Sequence, residues 1–317
     1  MRWTLKPVPN ENSVQHLANA LGVDSAIAHL LVQRGIENFA QAKAFFRPQL
    51  KDLHDPYLMK DMDMAVQRIQ RALSTNERIL VYGDYDVDGT TSVALMATYL
   101  EKKTEAIDTY IPDRFTEGYG VSYAGIDYAA DNDFSLIIAL DCGIKALKKV
   151  AYAKEKGIDF IICDHHRPGD ALPQAVAVLD PKRSDCSYPF KELCGCGVGF
   201  KLIQALGQQF SESIDDLSPY LDLVATAIGA DIVPVVGENR ILAYYGLEVL
   251  NLKPRVGFQA LIQHIKKETL TLTDVVFVIA PRINAAGRMK HGNYAVSLLK
   301  EADTTKAQAA SEAIETF

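Results

Sequence analysis

With 317 residues, 48% of them apolar and 23% charged, the chain has the composition of a soluble globular protein, large enough for one big domain with an addition, or for two domains. No run of about 18 apolar residues occurs and the first residues lack an apolar signal core, so no membrane helix or secretory leader is expected and the chain reads as cytoplasmic. The net charge of −7 argues against a basic nucleic-acid face, but two bound divalent cations would bring −7 + 4 to about −3, so local basic residues must decide the partner.

Residues 1–75 read as a helical segment. Val14, Leu17 and Leu21, then Ala26, Leu30 and Leu31, then Phe39, Ala42, Phe45 and Phe46 recur at helical spacing, with Gly22, Gly35 and Pro48 as breaks. An amphipathic helix over 62–73 leads into the first strand. From 76 to 235 the texture changes. Apolar strands are predicted over 79–82, 106–111, 135–140, 159–163 and 175–179, with helices over 90–102, 123–131 and 145–156 between them. This alternation predicts an α/β fold, a doubly wound, mostly parallel five-stranded sheet with helices on both faces.

Such sheets bind ligands outside the carboxyl ends of their strands, and the polar residues of this chain collect there. Asp84, Asp86 and Asp88 follow the first strand, Asp113 and Arg114 the second, and Asp141 the third. Asp164, His165 and His166 follow the fourth, and Asp180 the fifth. Asp113 and Asp180 are equally readable as turn formers. Three carboxylates at 84, 86 and 88 raise one another's pKa unless a cation sits between them, which points to a hard divalent metal. An EF-hand loop would need a bidentate Glu twelve positions along from Asp84, and Leu95 stands there. Asp86-Val-Asp88-Gly89-Thr90 also matches the haloacid-dehalogenase phosphatases, in which Asp86 would be a covalent nucleophile. A solvated acidic turn is the plain alternative.

The glycines at 195, 197 and 199 read as a close-packed turn before an apolar helix over 200–206, without the dinucleotide-binding spacing. Of the five cysteines, Cys142 and Cys163 lie in apolar runs. Cys186, Cys194 and Cys196 have neither CxxC spacing nor a nearby histidine pair, so no zinc site is expected. A nearly all-apolar helix over 217–228 delivers Asp231 to its end, where a charge needs a partner and a metal is a candidate. Residues 236–302 read as a helical extension around a loop, Pro281-Arg282-Ile283-Asn284-Ala285-Ala286-Gly287-Arg288-Met289, with Lys290 and His291 after it. Its arginine forks suit phosphate oxygens. Residues 303–317 read as the start of a linker helix that stops without a cap, as in a chain that continues.

Asp86, Asp88, Asp141 and Asp231 with His165 or His166 make an oxygen-rich site with a minority of imidazole, which suits Mn²⁺ or Mg²⁺. They exceed what one octahedral ion with open positions needs. Two ions about 3.5–4 Å apart sharing a carboxylate would use them all, the arrangement for phosphate-ester hydrolysis.

Asp84-Tyr-Asp86-Val-Asp88-Gly89, Asp141, Asp164-His165-His166 and Asp231 resemble the four motifs of the DHH phosphoesterase superfamily. Tyr82 to Gly89, Glu117-Gly-Tyr-Gly120 and Pro281 to Arg288 are similar to its single-strand-specific 5′→3′ DNA exonucleases of repair and recombination. The resemblance implies that Asp86 and Asp88 ligate two metals with Asp141 as the bridge, and that His165 and Asp231 complete the second site. It implies that His166 contacts the scissile phosphate or protonates the leaving group, and that Asp84 and Asp164 ligate or orient a ligating histidine. Arg282, Asn284, Arg288 and Arg114 would hold DNA phosphate. The implied partner is single-stranded DNA, with a single-strand-binding protein or helicase as protein partners and no membrane. Family members continue into a second DHH-associated domain and an OB-type domain, so this chain is expected to bind metal and degrade DNA weakly. Oligonucleotide phosphodiesterases and pyrophosphatases of the same superfamily share the metal motifs. A non-catalytic DNA-binding scaffold would show substituted ligands, and none is visible.

Overall fold

The structure, a computed structural model, describes residues 4–289 and 292–315, with the backbone alone at 287–289 and 315. The chain divides into two compact units, Met1–Leu53 and His54–Phe317. In the first, α1 (Glu11–Leu21), α2 (Ser25–Val32) and α3 (Phe39–Phe46) are each capped by a side-chain oxygen, from Asn10, Asp24 and Asn38. They bury Val14, Leu17, Ala18, Ala28, Leu31, Ile36 and Ala42.

The second unit holds a five-stranded parallel sheet of β1 (Arg78–Gly83), β2 (Ile107–Tyr110), β3 (Phe134–Leu140), β4 (Asp159–Cys163) and β5 (Ala177–Leu179). The strand order is β2-β1-β3-β4-β5. On one face Leu80, Tyr82, Ile137, Ala139, Phe160, Ile162 and Val178 pack with α6 (Tyr123–Asp131) and α7 (Leu147–Glu155). The other face is covered by α4 (Met62–Ser74), α5 (Val87–Leu100) and α8 (Gly195–Gln209). Burial on both faces is why the central strands read as unbroken apolar runs. The helical segment read over 1–75 is therefore divided. The apolar face of α4, with Met62, Ala65, Val66, Ile69 and Ala72 buried, packs on β5 and α8 and belongs to the sheet unit.

Register sets the working edge. Gly83 pairs with Leu140, Leu140 with Cys163, and Cys163 with Leu179. The next residue after each of those strand ends is an aspartate, Asp84, Asp141, Asp164 and Asp180, and all four are buried.

Three local expectations are corrected. Helix α5 begins at Val87 rather than at residue 90, because the Asp86 side chain caps it by accepting the Gly89 N–H at 2.9 Å. Asp88 therefore stands on the first turn of a helix. Helix α8 begins at Gly195, so the glycines at 195, 197 and 199 are its opening turns and not a turn before it.

Beyond α9 (Ile214–Leu217), α10 (Leu221–Ala230), α11 (Gly237–Leu252) and α12 (Val256–Ile262), the third correction appears. The stretch expected as a loop is helical. The short α13 (Leu272–Asp274) runs through a π-helical turn, Val275–Ile279, into α14 (Ala280–Met289). Pro281 has no N–H to give, and the widened turn just before it absorbs that missing bond, so good helix formers such as Ala285, Ala286 and Met289 continue the helix. Finally α15 (Gly292–Lys300) and α16 (Thr304–Glu315) complete the unit. Lys290 and His291, read as basic residues beside the candidate phosphate site, lie outside the described residues.

Candidate metal centre

The site forms where α5, α8, α10, β3 and β4 converge at the carboxyl edge of the sheet. Asp88, on the first turn of α5, accepts the N–H groups of Gly195 and Cys196 at 2.7 Å each, one on each oxygen. Asp141 follows β3 with a left-handed backbone (φ 58°), a conformation Asp tolerates better than most residues, and its N–H donates to the Cys163 carbonyl at 2.8 Å. Asp231 ends α10. His165 sits among these carboxylates. Its Nε2 lies 3.2 Å from Asp141 Oδ1, 3.6 Å from Asp231 Oδ2 and 3.9 Å from Asp88 Oδ2. Two overlapping sets of donor atoms, Asp141 with His165 and His166, and Asp88 with His165 and Asp231, each fall within 4.8 Å. His165 is the member common to both sets. Asp86 opens onto a cavity of about 230 Å³ that Asp88, Asp231 and Asn284 also line.

The electrostatics of this cluster are those of a site short of positive charge. Burial, then the charges of Asp231 and Asp86, push the Asp88 carboxyl well up. Burial, then Asp88 and Asp86, do the same to Asp141. Burial, then Asp86, raise Asp231 to about 6. Burial, and next the charge of Asp86, raise Asp84 to about 7 against the donated Tyr85 N–H. Burial and the neighbouring charge of His166 push the His165 imidazole down to about 4, so near neutrality it is neutral with a lone pair to offer. His165 Nε2, the nitrogen that faces the carboxylates, and Asp141 Oδ1 are buried with no hydrogen-bond partner. Buried polar atoms are rarely left so, and a hard divalent cation bound by carboxylate oxygen and one imidazole fits this donor set.

His166 is built differently. Its Nδ1 lies 2.7 Å from Asp164 Oδ1, and that hydrogen bond first of all raises its pKa. Burial alone would raise the Asp164 carboxyl, but the His166 ring and the N–H groups of Ile144 and His166 outweigh it and hold the group below its usual range. Asp164 Oδ1 also accepts the His165 and His166 backbone N–H groups, at 2.8 and 3.1 Å, and Oδ2 the Ile144 N–H at 2.9 Å. Its oxygens thus serve N–H donors, as an orienting group would.

The far ring nitrogen of His166 lies 3.3 Å from the Tyr119 hydroxyl, a contact that sequence reasoning missed although Tyr119 lies within Glu117-Gly-Tyr-Gly120. Glu117 fixes that loop, accepting from the Asp113 N–H and the Tyr110 hydroxyl. Asp113 is a turn former, accepting from the Phe115 and Thr116 N–H groups at 2.9 Å each. The Arg114 guanidinium lies over the Tyr85 ring at 4.7 Å, and Tyr85 meets Tyr119 edge to face.

The expected phosphate-binding residues separate. Asn284 lines the carboxylate cavity, whereas Arg282 donates to the Leu261 carbonyl and lines another cavity with His264, Pro281, Ala285 and Ile314. Two residues apart on a helix face different ways, which a loop reading could not foresee. The backbone of Arg288, one turn after Asn284, continues α14, but its side chain lies outside the described residues. Asp84 and the expected ligand Asp86 belong to neither donor set. For Asp86, with Oδ1 on the Gly89 N–H, the covalent-nucleophile reading must also explain a histidine at the centre of the cluster.

Comparison with known proteins identifies the family. Residues 78–228 match the DHH family, N-terminal domain. The single-stranded-DNA-specific exonuclease RecJ of Bacillus subtilis is 42% identical over 315 residues, covering 97% of this chain and 38% of the relative. The structure of RecJ from Thermus thermophilus with Mn²⁺ superposes with a TM-score of 0.84 at 28% identity, over 99% of this chain and 45% of that one; the same protein has also been solved with Mg²⁺. A second structure, exonuclease RecJ bound to manganese, gives a TM-score of 0.76 at 32% identity over 84% of this chain and 67% of that one. The chain spans half or less of the length of the curated relatives it matches. With the carboxylate–histidine edge in place and these matches running almost its whole length, the chain belongs to the RecJ family of DHH proteins.

Proposed function

We propose that the chain carries the metal-binding part of a single-stranded-DNA exonuclease that hydrolyses phosphodiester bonds and releases nucleotides in the 5′→3′ direction. The observation that carries the metal reading is His165, buried and neutral, with Nε2 unpartnered and three carboxylates within 4 Å of it. The relatives supply the substrate class and the choice of Mn²⁺ or Mg²⁺.

In this reading Asp86, Asp88, Asp141, His165 and Asp231 would hold two cations. Such ions would polarise the phosphoryl oxygens and lower the pKa of the attacking water. His166 gives its proton to the leaving oxygen. Asp164 holds Nδ1, so the titrating proton is the one on the far nitrogen, turned toward Tyr119 and the open side. Burial, with the charges of Asp141, Asp84 and Asp86 behind it, raises the Tyr119 phenol and keeps it neutral, and its oxygen can accept from the protonated far nitrogen and align His166. Asp84 supports the Asp86 turn from behind. Asn284, with Arg114 and Arg288, holds phosphate. The proposed substrate places the protein in the cytoplasm, where a helicase and a single-strand-binding protein expose and coat the strands it would digest.

The test is release of mononucleotides from 5′-phosphorylated single-stranded DNA with Mn²⁺, beside an Asp141→Ala control, with Mn²⁺ binding followed by calorimetry. Release that the substitution abolishes supports the proposal, and loss from the 5′ end before the 3′ end supports its direction. Faster turnover of dinucleotides than of long strands would move the chain to the oligonucleotide phosphodiesterases. No Mn²⁺ binding overturns the reading.

A further inference from the structure

Gly195, the first residue of α8, has no part in the reaction above, yet it lies against both Asp88 and Asp141. The Cys194 sulfur caps the helix by accepting the Gly197 N–H at 3.3 Å. The N–H groups of Gly195 and Cys196 are left over at the helix start, as the first N–H groups of any helix are. Both donate to Asp88, at 2.7 Å, one to each carboxylate oxygen. That geometry locks the rotation of the Asp88 carboxylate and sets it against the positive end of a 15-residue helix.

The space at Gly195 is equally specific. A Cβ there would lie 2.6 Å from both Cβ and Oδ1 of Asp141 and 2.8 Å from its Cγ. Those atoms belong to a carboxyl whose Oδ1 is buried without a partner. At Gly197, two residues on, a Cβ would meet only ordinary contacts at 3.4–3.5 Å. One residue therefore addresses two carboxylates. Its N–H holds Asp88, and its missing side chain admits Asp141.

We propose that the first turn of α8 is a positioning device for the metal pair, fixing Asp88 through the Gly195 and Cys196 N–H groups and spacing Asp141 from it through the absent side chain of Gly195. The inference rests on the metal reading proposed above. Gly195 and Cys196 ligate nothing themselves. They act through Asp88 and Asp141.

The experiment compares the chain with its Gly195→Ala and Gly197→Ala variants. Mn²⁺ affinity is measured by calorimetry, the paramagnetic resonance spectrum of bound Mn²⁺ is recorded, and the metal-free melting temperature is followed in parallel. Gly195→Ala is expected to weaken Mn²⁺ binding by about 10–100-fold, the usual cost of disturbing groups that orient metal ligands, and to change the spectrum. Gly197→Ala is expected to leave both unchanged. A folded Gly195→Ala protein with unaltered affinity and spectrum overturns the proposal, as do equal losses in the two variants, which would reflect helix stability alone. Should Gly195→Ala not fold, the unmodified chain decides by nuclear magnetic resonance. The Gly195 and Cys196 amide signals should move on adding Mg²⁺ while that of Gly207, far along the helix, stays; unmoved signals in a chain that binds Mg²⁺ overturn it. If the unmodified chain binds no metal, the metal reading itself fails, a result separate from any difference between variants.

Discussion

Replacing Asp164 by asparagine separates the proton-handling part of the site from the metal-holding part. The carboxylate is buried and accepts four N–H groups, three on Oδ1 and one, from Ile144, on Oδ2. An asparagine keeps one oxygen. Turned to satisfy the three donors, it sets its NH₂ against the Ile144 N–H, and one buried donor goes unpaired at a cost of about 1–3 kcal/mol. For a unit of this size, at about 2–4 °C per kcal/mol, melting should fall by roughly 2–12 °C. The larger effect is on His166, whose raised pKa comes first from its bond to Asp164. Without the negative partner the imidazolium is worth less. The alkaline limb of the pH–rate profile should therefore move to lower pH. Above that limb the rate of nucleotide release should fall. Mn²⁺ affinity should change by no more than about threefold, because Asp164 reaches the proposed ligand His165 only through its backbone N–H, whereas loss of a group that holds a ligand's own side chain costs about 10–100-fold. The assays are a thermal melt in chelator, the pH profile of release with Mn²⁺, and calorimetry. A lowered melting temperature with an unmoved alkaline limb would refute His166 as the proton donor. A tenfold loss of metal affinity would refute the separation of roles.

Two further outcomes follow from the same geometry. Asp84 and Asp231 hold protons in the metal-free fold up to about pH 7 and about pH 6, which the unfolded chain releases near 3.8. The folded state binds more protons, so metal-free stability should decline as pH rises through this window, and Mn²⁺ should raise the melting temperature more at about pH 7.5 than at about pH 5. On α14, Asn284→Ala should raise KM by about tenfold, or about 1.4 kcal/mol, with metal affinity intact. Arg282→Ala should instead cost about 1 kcal/mol of stability through its bond to the Leu261 carbonyl, with turnover unaffected; equal effects on KM would show that both residues face the substrate.

Much of the sheet and of the ligand set was legible in the sequence because the signal is local. A strand buried on both faces is an apolar run, and the aspartate that ends it is the next residue. Asp84, Asp141 and Asp164 could therefore be placed on one edge before any coordinates. What was not legible depends on residues far apart in sequence or on phase. Asp88 meets Gly195 and Cys196 across 107 and 108 positions, and nothing in the local pattern marks a glycine turn as the partner of a carboxylate. Pro281 argued for a loop, and only the π turn before it lets a helix pass. Once the stretch is helical, phase divides Arg282 from Asn284, a distinction composition cannot make.

These misses share a physical theme. The strands deliver more negative charge to the buried edge than a protein interior tolerates, and the fold answers it in graded ways. Asp164 is neutralised by four N–H donors, one of them the His166 ring. Asp88 is half answered by the opening of α8, which leaves its proton affinity high but its position fixed. Asp141 and His165 keep unpartnered atoms facing each other at 3.2 Å. The degree of satisfaction falls from the residues proposed to orient toward those proposed to ligate. Where the protein's own hydrogen bonds stop, the donor atoms left over are those two cations would need. A site meant only to be stable would have closed that gap with an arginine or a lysine; among the described residues no Lys or Arg forms an ion pair with Asp86, Asp88, Asp141 or Asp231.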